Sequence, residues 1–203
     1  MMVVGLTGNL ASGKSEAARI FRKLGAKIVD ADLVAKKLTK KGTPIFKAIL
    51  KIFGGAFLDK KKELDRRKLA WHVFSHPKDL KKLNILIHPG VIVEAYKAIE
   101  KEKGKEGILV LDVPLLFESR MEKLADVTVL IKSRKEILLD RSVSRGVPKE
   151  LAIKILSSQW QLSKKEKLAD YVIENNGTAF ELEQKIKKVY EQILSVCSKS
   201  PRC

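Results

Sequence analysis

GNLASGKS, residues 8–15, fits the phosphate-binding pattern G-x-x-x-x-G-K-[ST] at every fixed position. In such a loop the glycines let backbone N–H groups crowd around a polyphosphate. The lysine, here Lys14, supplies a positive charge, and the hydroxyl of Ser15 is a possible ligand for Mg²⁺. The stretch therefore predicts a site for a nucleoside triphosphate.

The sequence on either side of the loop supports this interpretation. Met2–Leu6 is a short apolar run typical of a buried strand, and Glu16–Leu24 has the pattern of a helix that stops at Gly25. The order strand, loop, helix aims backbone amides and the positive end of a helix dipole at phosphate. A glycine-rich turn without a ligand is the alternative, and this context disfavours it.

The chain length, the apolar runs and the cysteines limit the classes of protein to which this chain can belong. The chain has 203 residues, enough for one core with small inserts. No run approaches ~20 apolar residues, so no transmembrane helix is predicted, and the N-terminus enters a strand without the basic region of a signal peptide. Both cysteines, Cys197 and Cys203, lie at the C-terminal end, which favours a reducing, cytoplasmic location over a disulfide framework.

The net charge of +17 is the unusual global property. Such a charge could serve nucleic acid, or raise encounter rates with any anionic substrate. Aromatic residues make up 6% and do not interleave with the lysine runs at 60–62 and 164–167, so a stacking surface for single strands is poorly supported. A solvated basic surface is favoured, and no nucleic-acid partner is predicted.

Apolar runs recur along the chain with helical stretches between them. They are β-branched and do not alternate with polar residues, as expected where helices cover both faces of a sheet. We predict an α/β fold with a doubly wound, five-stranded parallel sheet. The five predicted strands are Met2–Leu6, Lys27–Asp30, Ile108–Asp112, Val127–Ile131 and Tyr171–Glu174.

Two segments do not fit simple strand–helix–strand spacing. About 75 residues separate the second and third strands, far more than one crossover helix needs. We predict a helical substrate-binding insert at 33–106 and a helical, lysine-rich lid at 147–168. The predicted core is 1–32, 107–146 and 169–196, and 197–203 is a tail. Within the insert, helices are predicted at 44–53, 66–74, 80–87 and 91–103, the last two separated by His88-Pro89-Gly90.

Three carboxylates follow predicted strands, at the edge where open α/β sheets bind ligands. Asp30 and Asp32 follow the second strand, and Asp112 ends the third. A kinase needs a carboxylate to orient an acceptor hydroxyl and take its proton. In an extended segment residues two apart point to one side, so Asp30 and Asp32 could face the same cleft. The alternative for each is a helix-capping or turn acid, and it is weakest for Asp32.

Arg141 and Arg145 lie four residues apart on a helix entering the lid, so they share a face. A guanidinium suits a transferring phosphoryl group because it is always charged and bidentate. Pairing with Asp140 or Glu136 is the competing explanation. His88, taken alone, is best explained as a structural histidine.

The ordered set of these blocks resembles the dephospho-CoA kinase family from Val4 to about Gly177. The phosphate loop alone indicates only a superfamily, whereas Asp-Ala-Asp, His-Pro and Pro-Leu-Leu-Phe-Glu in this order indicate the family. The matching blocks are 5–8 with 12–15, Asp30-Ala31-Asp32, Leu64 with Arg66, His88-Pro89, 112–118, Arg141 with Arg145, Gln159 with Lys165, 169–173, Asn175 and Gly177.

The resemblance implies a P-loop kinase that uses ATP and Mg²⁺ to phosphorylate the ribose 3′-hydroxyl of dephospho-CoA, the last step of CoA biosynthesis. It implies that Asp32 is the base, that Lys14 and Arg141 are also catalytic, and that Ser15 ligates Mg²⁺ through its hydroxyl. The implied ATP-binding residues are Gly8, Leu10, Ala11, Ser12, Gly13, Lys14, Ser15, Glu16, Arg141 and Asn175. The implied substrate-binding residues are Asp32, Arg66, His88, Pro89, Pro114 and Leu115.

Some features depart from the family pattern. Asn9 and Ala11 stand where many relatives have glycine, and Leu162 stands where some have a basic residue, which leaves the lid contacts open. Two other functions are also compatible with parts of the sequence. Another small P-loop kinase, for a nucleotide or a shikimate-like alcohol, would share the loop and lid but lack Asp-Ala-Asp and Pro-Leu-Leu-Phe-Glu. A nucleic-acid-associated protein would account for the charge. The oligomeric state is not predicted.

Overall fold

A five-stranded parallel sheet forms the centre of the computed structural model, which describes residues 1–197. Its strand order is β2-β3-β1-β4-β5, and every neighbouring pair is parallel. The predicted fold class is confirmed. The predicted tail, 197–203, lies outside the described residues apart from the backbone of Cys197. The strands are β1 (Met2–Gly8), β2 (Lys27–Asp30), β3 (Ile108–Asp112), β4 (Val127–Lys132) and β5 (Tyr171–Glu174).

Helices connect and follow these strands, and the chain divides into two compact units. The first unit comprises residues 1–31 and 95 onward, and the second comprises 32–94. Short 3₁₀ turns occur at Gly55–Phe57 and Met121–Leu124. The helices are α1 (Lys14–Lys23), α2 (Ala31–Leu38), α3 (Pro44–Phe53), α4 (Arg66–Ser75), α5 (Pro77–Glu102), α6 (Lys135–Ser144), α7 (Lys149–Ser158), α8 (Leu162–Glu166) and α9 (Ala179–Cys197).

The core of the first unit forms where the apolar strands meet α1 and α9. In the central strands β1, β3 and β4 consecutive residues are buried, so both faces of the sheet are covered there, which explains why these sequences do not alternate. Each such side chain contributes about 1.5–3 kcal/mol by leaving water. The members of this core that are at most 1% exposed are Val4, Leu6, Ala17, Ile20, Phe21, Val110, Val129, Ile131, Ile186 and Ile193.

The second unit has a smaller core of its own, formed by Phe46, Ile49, Leu64, Leu69 and Val73. Side-chain caps define the helix starts that surround it. The hydroxyl of Thr43 accepts from the Phe46 N–H at 3.2 Å at the start of α3, and a carboxylate oxygen of Asp65 accepts from the Lys68 N–H at 2.9 Å at the start of α4. These helices lie where the sequence predicted helices at 44–53 and 66–74.

The prediction of two helices separated by His88-Pro89-Gly90 is wrong, because α5 runs unbroken through all three residues. Proline removes one backbone hydrogen bond from a helix interior, but packing on both sides of it can outweigh that loss. Val91 and Ala95 are buried on the following turns. Gly90 leaves room for Leu38, whose Cδ1 would lie 2.9 Å from a Cβ at this position.

The second unit ends before the predicted insert does. The insert was predicted to run to residue 106, whereas the last turns of α5 group with the first unit. Glu102 at the end of α5 pairs with Lys27 of β2, which ties this end of the helix to the sheet. Within residues 1–197, no helix combines the length and the hydropathy needed to cross a bilayer.

Candidate functional site

The phosphate loop joins the end of β1 to the start of α1, and its backbone requires its two fixed glycines. A Cβ on Gly8 would lie 2.4 Å from Ser12 Oγ and 2.6 Å from Ile131 O. Gly13 has a φ of 98° in the left-handed region, and a Cβ there would lie 2.2 Å from Asn175 Nδ2. Because Gly13 is also the residue before α1, no side chain caps the first turn of the helix. Its amides are thus available to an anion.

Lys14 and Asp112 form a tight ion pair beside this loop. The Nζ of Lys14 lies 2.5 Å from Oδ1 of Asp112, and the two side chains are 10% and 5% exposed. Asp112 is held there because β3 pairs with β1, with Leu6 opposite Asp112. The pair is shielded from water, so the position of the lysine ammonium is well defined before any phosphate arrives.

Asp30 shares the same edge of the sheet, since the register of β2 and β3 places Asp30 opposite Asp112. This follows the prediction that acids at strand ends gather at one edge. The prediction that residues 30–32 form one extended segment is wrong. Asp30 ends β2, but α2 begins at Ala31, so Asp32 lies in a helix rather than in an extended segment. Alternation along a strand therefore does not relate the two carboxylates.

A buried polar network braces the loop from the other side. Asn175 follows β5 and is 6% exposed, and its Nδ2 donates to Ser12 O at 2.8 Å. The hydroxyl of Ser133, at the end of β4, donates to Asn175 O at 2.6 Å, with a longer contact to Ser12 O at 3.4 Å. The loop is thus tied to the ends of two neighbouring strands. The sequence predicted Asn175 as an ATP-binding residue but missed Ser133, which no pattern marked.

Arg141 joins this network instead of pairing with surface acids. Its Nη1 donates to Asn175 O at 3.1 Å and to Ser133 Oγ at 3.3 Å. Within residues 1–197, Arg141 forms no ion pair with Asp140 or Glu136. Arg145 is exposed. The structure therefore brings Arg141, Asn175 and the phosphate loop together, and leaves Arg145 at the surface.

Glu16 is the other charged residue at the start of α1. A hydrogen bond from the neighbouring Arg19 lowers the pKa of the Glu16 carboxyl below its ordinary value. This i,i+3 pair is partly exposed. Glu16 is therefore ionised at neutral pH, with its charge directed to Arg19, and its role as an ATP-binding residue stays a prediction.

The predicted lid segment belongs to the first unit and packs against the rest of it. Leu151 and Ala152 of α7 are buried, and α7 packs against α6. Beyond α7, Gln159 Oε1 accepts from the Leu10 N–H of the phosphate loop at 3.2 Å. Lys165 of α8 is fully buried, with its Nζ 2.8 Å from Glu118 Oε1. The sequence assigned no role to Gln159, Glu118 or Lys165. Their presence in the family blocks was the only signal.

A cavity of about 470 Å³ lies between the phosphate loop and the lid segment. Its walls are side chains of α6, of α7 and of the first residue of α8, together with Asn9, Ser133, Gln159, Trp160 and Gln161. Most of the helical side chains are aliphatic, and Asn9 Oδ1 is a buried acceptor without a hydrogen-bond partner among residues 1–197. The space lies beside the loop that is predicted to hold the phosphates.

The predicted substrate-binding residues are distributed over both units. Arg66 belongs to the second unit and donates to Lys36 O at 3.1 Å and Thr39 Oγ1 at 2.9 Å. His88 and Pro89 lie within α5 in the same unit. Pro114 belongs to the first unit, where its carbonyl accepts from the Thr7 hydroxyl at 3.1 Å. Leu115, the next residue, is half-buried there.

Together these features define the class of protein. The parallel sheet, the phosphate loop after its first strand and the buried lysine–aspartate pair are those of a P-loop kinase, an enzyme that takes ATP as substrate. A solved shikimate kinase from Acinetobacter baumannii, in complex with shikimate, shares the fold with a TM-score of 0.59. At 15% identity over 96% of this chain and 94% of that chain, the likeness shows the fold alone.

The family is narrower than the class. The family model described as dephospho-CoA kinase matches residues 2–181. A dephospho-CoA kinase of Fusobacterium nucleatum is 40% identical over 194 residues, which are 95% of this chain and 99% of the relative. A solved dephospho-CoA kinase from Campylobacter jejuni has a TM-score of 0.65 at 30% identity, covering 94% of this chain and 96% of that chain. The chain belongs to the dephospho-CoA kinase family, and the resemblance to this family seen in the sequence is confirmed.

Proposed function

We propose that this chain transfers the γ-phosphoryl group of ATP to the ribose 3′-hydroxyl of dephospho-CoA, giving CoA and ADP. One observation carries the proposal: a complete phosphate loop, with Lys14 held 2.5 Å from Asp112, in a chain of this family. Phosphoryl transfer needs little covalent chemistry from the protein. Positioning and charge therefore account for most of the catalysis.

The loop and Lys14 act on the phosphates of ATP. The amides after Gly13 face the polyphosphate, and the ammonium of Lys14 exchanges Asp112 for phosphate oxygens when ATP binds. Such a charge is most effective where water is excluded, as it is around this pair. Arg141 adds a second positive charge from the network around Asn175. We assign Lys14 and Arg141 as the cationic catalytic residues.

Asp32 is our candidate for the proton acceptor. It lies in the first turn of α2 and is exposed. A carboxylate that accepts a hydrogen bond from the 3′-hydroxyl orients the nucleophile and takes its proton as the new bond forms. Arg66, His88, Pro89, Pro114 and Leu115 are proposed to contact dephospho-CoA. These assignments derive from the family resemblance.

The oxygen-bearing side chains beside the phosphate loop are suitable ligands for Mg²⁺. Ser15 offers an exposed hydroxyl in the first turn of α1, and the carboxylates of Asp30 and Asp112 share the adjacent sheet edge. Residues 1–197 contain no cluster of three or more His, Cys, Asp and Glu side chains arranged for a metal. Mg²⁺ commonly takes one or two protein oxygens together with phosphate oxygens and water, so this donor set suits it. When bound, Mg²⁺ would neutralise charge on the β- and γ-phosphates.

ATP and dephospho-CoA are the proposed partners, both small anions. No nucleic acid and no membrane is proposed as a partner. The cytoplasm remains the predicted location, because the cysteines in the sequence do not form the pattern of a disulfide framework.

A coupled assay of ADP release tests the function. The acceptors are dephospho-CoA, AMP, adenosine and shikimate, each with ATP and with either Mg²⁺ or excess chelator. We expect dephospho-CoA to give the highest kcat/KM and chelator to abolish turnover. Equal or better turnover of AMP would contradict the acceptor assignment, and full activity in chelator would contradict the metal assignment.

A further inference from the structure

The segment after α7 makes two contacts that no role assigned above uses. Gln159 Oε1 accepts a hydrogen bond from the Leu10 N–H, in the middle of the phosphate loop. Six residues later, Lys165 is fully buried with its Nζ 2.8 Å from Glu118 Oε1. The same Glu118 oxygen also accepts from the Trp160 N–H at 3.0 Å, so Glu118 holds the chain directly beside Gln159.

The buried pair is a costly way to fasten a short helix. An ammonium at 0% exposure loses all of its hydration, and among residues 1–197 neither the Lys165 Nζ nor the second oxygen of Glu118 has a hydrogen-bond partner, so charge attraction alone holds the pair. Well-packed apolar side chains would usually hold such a helix as firmly as an ion pair does. The pair instead fixes a position. Glu118 Oε1 contacts both Lys165 Nζ and the Trp160 N–H, and this double contact determines where the neighbouring Gln159 lies.

The phosphate loop is therefore braced at two places by different parts of the chain. Asn175 donates to the Ser12 carbonyl from the end of β5, and Gln159 accepts from the Leu10 amide from the lid segment. The loop contains Ala11 at a φ of 60° and Gly13 at 98°, a conformation that needs support from neighbours. Removing the Gln159 brace would leave the Leu10 end of the loop with more conformations and a weaker phosphate site.

We infer that Gln159 is a positioning residue for ATP, which holds the phosphate loop in its binding conformation, and that the buried Glu118–Lys165 pair acts by keeping Gln159 in place. The inference rests on the proposed function only in taking ATP as the ligand of the loop. It assigns the lid segment a role before nucleotide binds, in addition to any closure afterwards.

The test compares Gln159→Ala with the control Ser163→Ala, whose side chain is exposed on the same segment and does not line the cavity. We expect Q159A to raise both the KM and the Kd for ATP about tenfold, the range of one net hydrogen bond. Its kcat, its KM for dephospho-CoA and its melting temperature should stay close to those of the parent. S163A should match the parent throughout. An unchanged Kd for ATP in Q159A would overturn the inference.

The role of the pair is tested by Glu118→Gln with Lys165→Met, which removes both charges and keeps similar volumes. We expect E118Q/K165M to weaken ATP to the same degree, and the triple variant with Q159A to be no weaker. Such non-additivity shows that the pair acts through Gln159. If the effects multiply, or if E118Q/K165M lowers only the melting temperature, the pair is not a positioning device.

These outcomes can be told apart from a failure of the proposed function. If the parent does not phosphorylate dephospho-CoA, the function is wrong, but ATP titrations by calorimetry still compare the variants. The amide resonance of Leu10 gives a further readout, since loss of its acceptor should shift it and speed its hydrogen exchange in Q159A. An unmoved Leu10 resonance would contradict the contact itself.

Discussion

Gly13 shows how a single residue sets the shape of the phosphate loop. Its left-handed φ and the 2.2 Å approach of Asn175 Nδ2 to a would-be Cβ are separate obstacles to any side chain. The sequence marked this glycine through the pattern. It did not show that Asn175 occupies the space, because Asn175 is 162 positions away in the chain and only the folded sheet brings the two together.

Gly13→Ala should therefore destabilise the protein more than an alanine at another left-handed glycine. Gly146→Ala is the matched control, since Gly146 has a φ of 80° but nothing within 4 Å of its would-be Cβ. We expect about 1–2 kcal/mol of unfolding free energy lost in G146A from strain alone. G13A should lose more and bind ATP poorly. Denaturant unfolding of both variants checks this, and equal losses would contradict the role of Asn175.

Lys14→Ala should abolish most activity while the chain stays folded. The lysine neutralises charge that builds on the phosphates in the transition state, and loss of one such group costs on the order of 10²-fold or more in kcat. Circular dichroism and melting temperature control for folding. Activity within a few-fold of the parent would show that this loop is not the catalytic phosphate site.

Asp32→Asn should lower turnover strongly and leave the affinity for ATP nearly constant. Asparagine keeps the size and one acceptor oxygen but takes no proton, and general-base catalysis contributes about 10²–10⁴-fold, less if the transition state is loose. Asp30→Asn is the matched comparison from the end of β2, and we expect a smaller loss. If D30N loses more kcat than D32N, with both variants folded, the assignment of the base is wrong.

At the scale of elements, the strands were predictable and the helix α5 was not. Five apolar β-branched runs sufficed for the strands because a parallel sheet buried on both faces leaves a continuous signal in the sequence. Pro89 was interpreted as a break because local propensity disfavours proline inside a helix. Packing along α5 outweighs that local cost, and a single sequence carries no record of the packing partners.

The lid segment illustrates the same limit at the site. Its lysine-rich sequence predicted a mobile lid. The structure nevertheless holds it through Leu151, the Gln159 contact and the buried Lys165, two of them polar. Polar docking depends on partner geometry, which composition does not contain. Whether the segment moves stays a prediction.

We expect ATP binding to slow hydrogen exchange in the lid segment, 147–168. Few of its side chains are buried, so its local opening should cost less than global unfolding, and contacts to bound nucleotide would raise that cost. The measurement is hydrogen–deuterium exchange with a non-hydrolysable ATP analogue. Peptides from α9 serve as the internal control, since that helix packs in the core. Unchanged lid exchange at saturating analogue would count against closure.

At the scale of the whole molecule, the net charge of +17 remains to be connected with function. Both proposed substrates are small polyanions, and a strongly basic protein attracts them over distances comparable to the Debye length, about 8–10 Å near physiological ionic strength. Nucleic acid would be attracted by the same field, so charge alone does not separate the two uses. The dependence of catalysis on salt concentration distinguishes substrate attraction from nucleic-acid binding.

Raising potassium chloride from about 50 to about 300 mM should lower kcat/KM for dephospho-CoA several-fold and leave kcat nearly constant. Salt screens the encounter in solution, but it screens little of the interaction between bound phosphates and the Lys14 ammonium, which is 10% exposed. Potassium acetate serves as the control for specific effects of chloride and should give the same curve. A kcat/KM that does not depend on salt would show that the charge does not serve substrate capture. Inhibition by duplex DNA at physiological salt, relieved steeply by more salt, would instead assign the basic surface to nucleic acid.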